Sequence, residues 1–128
     1  MSGVPRKILL VDDEVHVRSI MQLKLRGAGY TVETASDGAE GLSTAGEFLP
    51  DLMISDFQMP QMNGLEMCRA LFKDANLKTI PIILLTSREF EMTPDRLADT
   101  NIKAVRDKPF SPKAILKLVG EILQIAGT

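Results

Sequence analysis

The apolar runs of this chain stop at chemically able residues. Ile8-Leu9-Leu10-Val11 ends at Asp12-Asp13, Leu52-Met53-Ile54-Ser55 at Asp56, and Pro81-Ile82-Ile83-Leu84-Leu85 at Thr86. A more mixed segment, Lys103-Ala104-Val105-Arg106-Asp107, runs into Lys108-Pro109. Short continuous apolar runs suit strands covered on both faces, the situation of a parallel sheet. Helix-like patterns lie between them, which predicts an α/β domain with strands near 8–11, 31–35, 52–55, 82–85 and 103–107. The second and fifth strands are mixed in character and read as sheet edges. Edges there fit the strand order 2-1-3-4-5 of a doubly wound sheet. That order puts the switch point between strands one and three, where the acids are.

The helices are marked by their periods and caps. The first is expected from about Glu14 to Ala28, with Val17, Ile20, Met21 and Leu25 as its apolar stripe and Gly29 as its stop. The second, near Gly38 to Phe48, would present Ala39, Leu42 and Ala45, and is weakened by Gly41 and Gly46. The third starts at Asn63-Gly64 and buries Leu65, Cys68, Leu71 and Phe72. Pro94 restricts the fourth to a short helix over Asp95 to Asp99, capped by Thr93, with 87–93 as an extended loop. The fifth follows Ser111-Pro112, with Ile115, Leu118, Val119 and Ile122 as its stripe.

On the shared rim, Asp12, Asp13 and Asp56 repel one another, and they cannot all stay ionised without a compensating cation. Raised pKa values from this like-charge repulsion are expected when no metal is bound. Oxygen ligands of this kind ask for a hard divalent ion, and Mg2+ is the one expected. A carboxylate beside such an ion and a lysine suits the receipt of a phosphoryl group, because cations neutralise the transferring oxygens.

Composition narrows the alternatives. The 128 residues suit one domain, expected to span 1–128 with a core over about 6–125. The net charge of −2 and the scattered basic residues argue against direct binding to nucleic acid. The apolar runs are too short for a membrane span, and the first residues do not form a signal peptide. A cytoplasmic location follows by default. The single cysteine, Cys68, excludes an internal disulfide and reads as a small core residue. His16 reads as a surface histidine, so the chain looks like a phosphoryl acceptor rather than a phosphohistidine donor. The chain ends soon after the fifth helix, and no output domain is expected within it.

Together, Asp12-Asp13 with Arg18, Asp56 with Met59-Pro60 and Gly64, Thr86-Ser87, and Lys108-Pro109-Phe110 strongly resemble a response-regulator receiver domain of two-component signalling. The resemblance covers nearly the whole chain and implies a flavodoxin-like three-layer α/β/α fold. It implies Asp56 as phosphoacceptor. Mg2+ would be held by Asp13, Asp56 and the backbone carbonyl of Gln58, with Asp12 acting through bound water. Lys108 would pair with Asp56 and then with the phosphoryl group, and the Thr86 hydroxyl would hydrogen-bond that group. The implied protein is a signalling domain that assists its own phosphorylation and dephosphorylation rather than an enzyme. Its partners would be a histidine kinase or phosphotransfer protein and a downstream protein or output domain, and homodimerisation stays open.

Taken singly, each residue has a plainer reading. Asp12 and Asp13 suit helix caps, Asp56 a loop acid, Thr86 a strand end and Lys108 a solvated turn. The ordered coincidence of all of them favours the receiver. The sequence also departs from the family. Val105 stands where an aromatic switch residue is common, and Arg106 where an apolar one is. These departures motivate a second reading, a constitutive receiver-fold interaction module that does not switch. A third, a Mg2+-dependent phosphatase working through an aspartyl phosphate, lacks its second acid, because Gln58 holds that position. Gln58 and Arg88 occupy positions that tune phosphoryl lifetime in the family. With Val105 in place, coupling is expected to run through Thr86 and residues 87–93, toward a charged surface of Arg96, Asp99, Lys103 and Arg106.

Overall fold

The computed structural model describes residues 4–108 and 110–126, so Pro109 of the Lys108-Pro109-Phe110 motif lies outside the described residues. Five parallel strands, β1 (Lys7–Val11), β2 (Thr31–Ala35), β3 (Leu52–Asp56), β4 (Ile82–Thr86) and β5 (Ile102–Asp107), form one sheet in the order β2-β1-β3-β4-β5. Every residue of β3 and β4 is buried, whereas β2 and β5 alternate with exposed positions, as central and edge strands should.

The pleat sends alternate residues to opposite faces. On one face Ile8, Leu10, Ile54, Ile83 and Leu85 pack against α1 (Val15–Gly27) and α5 (Pro112–Ala126) through Met21, Leu25, Ile115, Val119 and Leu123. On the other, Leu9, Val11 and Met53 pack against α2 (Gly38–Phe48) and α3 (Gly64–Phe72) through Ala45, Met67, Cys68 and Leu71. Burial pushes the Cys68 thiol up to about 12, so it is an inert core group.

Local chemistry sets the helix ends. Asp37 accepts the Glu40 N–H at the start of α2. Asn63 and Glu66 form a reciprocal capping box at α3. Thr93 caps α4 (Pro94–Leu97), with Pro94 in its first turn. Gly29, at φ 101°, follows α1 in a conformation open to glycine.

Several details differ from the sequence pattern. Ile20 is 52% exposed, so the α1 stripe narrows to Val17, Met21 and Leu25. On α2, Ala39 faces solvent, and the buried positions are Gly38, Gly41 and Ala45. Gly41 is there for space: a Cβ would lie 2.7 Å from Met67 Sδ and 3.2 Å from Val11 Cγ2. Its helix-weakening character is the cost of seating α2 closely on β1 and α3. Met67 joins the buried face of α3, while Phe72 is only half-buried. Residues 87–93 are not extended, because Glu89–Glu91 form a 3-10 turn. The fourth helix stops at Leu97, ahead of Asp99, which adopts φ 58°. The helical path has already ended at the cap, Ala98, whose backbone turns extended at ψ 148°.

Candidate functional site

Register assembles the site. Val11 pairs with Ser55, Asp56 with Leu85, and Thr86 with Asp107. One step beyond these pairs, Asp12, Asp56, Thr86 and Lys108 therefore arrive at the same C-terminal rim. Hydrogen bonds continue the ladder into the loops, from Asp12 N–H to Ala35 O, Phe57 N–H to Leu85 O and Lys108 N–H to Thr86 O. The backbone at each functional residue is thus fixed by the sheet itself.

Asp12 is fully buried, Asp56 is 3% exposed and Thr86 is 1% exposed, whereas Asp13 is open to solvent. One carboxylate oxygen from each of Asp12, Asp13 and Asp56 falls in a group spanning no more than 4.8 Å. Asp12 Oδ1 accepts the Glu14 N–H at 2.9 Å, and the Asp12 carbonyl accepts Arg18 Nη1 at 2.7 Å. Arg18 thus braces the loop that carries the acids. Asp12 does not cap α1, since Glu14 holds that position. Its second oxygen, Oδ2, is buried without a hydrogen-bond partner among the described residues. A buried, unpartnered carboxylate oxygen is costly alone and becomes a ligand beside a cation. The residues present therefore fit a hard divalent ion.

The Lys108 ammonium donates to Asp56 Oδ1 at 3.1 Å and lies 3.6 Å from Glu14 Oε1. Burial raises the Asp12 carboxyl from 3.8 to about 6; the Glu14 N–H opposes that rise, and the charge of Asp56 adds to it. Asp56 is also raised, first by burial, against the pull of Lys108. The sequence-based expectation of raised acids is met for both, but desolvation rather than like-charge repulsion leads. Burial alone would lower Lys108, but the hydrogen bond and charge of Asp56 raise it.

Thr86 Oγ1 accepts the Arg88 N–H at 3.1 Å, which leaves its own proton free to donate. Gln58 is exposed, and a hydrogen bond from its backbone works against the rise of Asp56. The Arg88 guanidinium bonds Glu91 at 3.1 Å. His16 lies exposed on α1, as expected of a surface histidine. Val105 is half-buried and Arg106 exposed on β5. Of the charged stretch, Asp99 and Lys103 are also exposed, but Arg96 is half-buried over the Phe57 ring, 5.5 Å from its centroid.

Gly64 explains how α3 comes so close to Asp56. A Cβ there would run into the Asp56 carbonyl oxygen and stand 3.0 Å from Leu84 Cδ1. Two contacts escaped the sequence reading. Glu14 carries no spacing signal linking it to Lys108, and the Arg96 to Phe57 contact joins residues far apart in the chain.

Comparisons with known proteins bear on the family and the fold. The family model described as "Response regulator receiver domain" matches residues 8–120. The alkaline phosphatase synthesis transcriptional regulatory protein PhoP of Bacillus subtilis is 35% identical over 93% of the chain and 49% of its own length. A probable transcriptional regulator, ycf27, of Guillardia theta is 37% identical over 92% of the chain and 45% of its own length. The chain thus spans about half the length of these curated relatives. Among solved structures, the chemotaxis response regulator CheY4 of Vibrio cholerae superposes with TM-score 0.83 at 34% identity, over 93% of this chain and 99% of that one. A response regulator of Chloroflexus aurantiacus gives TM-score 0.85 at 32% identity, over 94% and 99%.

Proposed function

Because the chain belongs to the response regulator receiver domain family, we propose that it takes a phosphoryl group on Asp56 from a histidine kinase or phosphotransfer protein. The observation that carries this reading is the buried Asp56 carboxylate held at 3.1 Å from Lys108 inside the three-acid group. Asp12, Asp13 and Asp56, with the Gln58 carbonyl, would hold Mg2+, which supplies positive charge to the oxygens of the transferring group.

The remaining work falls to the chain's own side chains. An Asp56 oxygen forms the new bond to phosphorus while the donor nitrogen leaves. Lys108 is a compact cation with rotatable donors, suited to moving from the carboxylate to a phosphoryl oxygen. The Thr86 proton is free for the same group. Gln58 and Arg88, two residues beyond Asp56 and Thr86, would set the phosphoryl lifetime. An apolar groove lined by Val17, Ile20, Met21, Phe110 and Pro112 shares Lys108 with the site. A protein donor seated there would present its phosphohistidine to Asp56, and the exposure of Ile20 fits such docking.

The output of the reading is a change of partner affinity, in a downstream protein or an attached domain. DNA binding belongs to relatives such as the DNA-binding response regulator MtrA of Mycobacterium tuberculosis, of whose length this chain covers 51%. Among the described residues no helix is long and apolar enough to cross a membrane, and a cytoplasmic site of action follows from the proposed partners.

Transfer of label from a phosphorylated histidine donor tests the reading. Labelling should require Mg2+, fall strongly in Asp13→Asn and vanish in Asp56→Asn. Label that persists in Asp56→Asn and maps elsewhere contradicts it.

A further inference from the structure

We infer that Glu14 determines donor specificity: its carboxylate stands on Lys108 at the mouth of the site and disfavours phosphoryl transfer from small dianionic donors. The inference rests on the reading of Asp56 as acceptor.

Glu14 occupies the N-cap of α1, yet its side chain makes no cap hydrogen bond. Short side chains are favoured at that position because they reach the first free N–H groups. Glutamate forgoes that bond here, and its carboxylate meets Lys108 instead. The backbone is pinned on both sides. Its N–H goes to Asp12 Oδ1 at 2.9 Å, and its carbonyl accepts the Arg18 N–H at 3.1 Å. Lys108 therefore spans two carboxylates of opposite character. Asp56, at 3.1 Å, has a side chain 4% exposed, and Glu14, at 3.6 Å, one that is 62% exposed. The solvent-facing partner of the ammonium is Glu14, and solvent is the direction from which a phosphoryl group must come.

A negative charge at that point acts twice. It draws part of the Lys108 field away from incoming oxygens, and it repels a dianion directly. A protein donor escapes both effects by setting a cation of its own against Glu14. A free acyl phosphate has none to offer. The gate thus favours protein donors over small metabolites without changing the reaction centre.

Two small donors separate charge from structure. With acetyl phosphate, an Asp56 oxygen bonds to phosphorus as the bond from phosphorus to the bridging oxygen breaks, and acetate leaves with that electron pair. With phosphoramidate the broken bond is to nitrogen, which leaves as ammonia. Phosphoramidate carries less negative charge near neutral pH.

The full chain with Mg2+ serves as the test system. At low salt, Glu14→Gln and Glu14→Ala should each raise the second-order rate with acetyl phosphate about threefold, an order of magnitude set by one partly screened charge. The gain with phosphoramidate should be smaller. Both gains should fade near about 1 M salt, where the screening length falls to about 3 Å. Glu14→Asp keeps the charge and should keep the wild-type preference between donors. An unchanged or slower rate with acetyl phosphate in both neutral variants overturns the inference. So does an equal, salt-independent gain for both donors, which marks a structural effect. If the wild-type chain takes label from neither small donor nor a phosphohistidine donor, the acceptor reading itself fails, and the role of Glu14 with it.

Discussion

Helices α3 and α4 border the same loop after β3 and are held to it in opposite ways. α3 buries Leu65, Met67, Cys68 and Leu71, closes its first turn with a capping box, and packs Gly64 directly against the Asp56 carbonyl. α4 is a four-residue helix with no buried residue. Its ties to the neighbouring elements include the Arg96 guanidinium over the Phe57 ring and the Arg96 carbonyl, which accepts Arg69 Nη2 at 2.7 Å. Apolar burial stabilises by about 1.5–3 kcal/mol per large side chain, whereas a cation over an aromatic face, when not desolvated, contributes about 0.5–1 kcal/mol. The side behind Asp56 is therefore a fixed reference. The side beyond Thr86 can rearrange at small cost, which is what a switching surface requires.

Breaking the fixed side should have the largest effect. Gly64→Ala forces a Cβ onto backbone atoms of Asp56 and Phe57. It should cost about 3 kcal/mol of stability by urea denaturation, the upper end of the usual range for over-packing with forced backbone shift. A loss below about 1 kcal/mol would show that α3 is free to retreat, and the contrast with α4 would lapse.

Next comes the charge held at the rim. With its carboxyl raised from 3.8 to about 6, Asp12 binds more protons folded than unfolded between those values. Metal-free stability should therefore fall as pH rises through that window, by on the order of 2–3 kcal/mol, and level off above it. Asp12→Asn should flatten the profile and stabilise the metal-free protein near neutrality. Excess Mg2+ should restore stability to the wild type more than to the variant. A wild-type profile in EDTA that rises from pH 4 to pH 6 contradicts this.

The caps sharpen the comparison at smaller scale. Asn63→Ala removes a buried helix's capping box and should cost about 1 kcal/mol. Arg96→Ala should cost less than about 1 kcal/mol globally, while amide exchange across α4 accelerates. A global loss in Arg96→Ala as large as that in Asn63→Ala would make α4 as firmly built as α3.

The rim chemistry was legible because each apolar run ends where its strand leaves the core, and the register then delivers all the ends to one edge. Asp12, Asp56, Thr86 and Lys108 needed no more than that. Side-chain direction was less accessible. Ile20 fits the helical period of α1 but lies beside the site on the exposed Lys108 groove. Gly41 looks like a helix breaker until Met67 is seen against it. The 3-10 turn at Glu89–Glu91 depends on tertiary support, including the bond from the Glu89 N–H to Asp107 Oδ1 at 2.8 Å. No local pattern announces a bond across that separation. The pairing of Glu14 with Lys108 is hidden for the same reason.

The most direct test of switching follows backbone amide shifts by NMR when Mg2+ and a beryllium fluoride mimic of the phosphoryl group are added. The account predicts large shifts at Asp12, Asp56 and Thr86, and shifts across 87–97 that exceed those across Gly64–Phe72 and those flanking Val105. Shifts confined to Asp12, Asp56 and Thr86, with 87–97 unmoved, would contradict a switch carried by the α4 side and favour an interaction module that binds the group without responding to it.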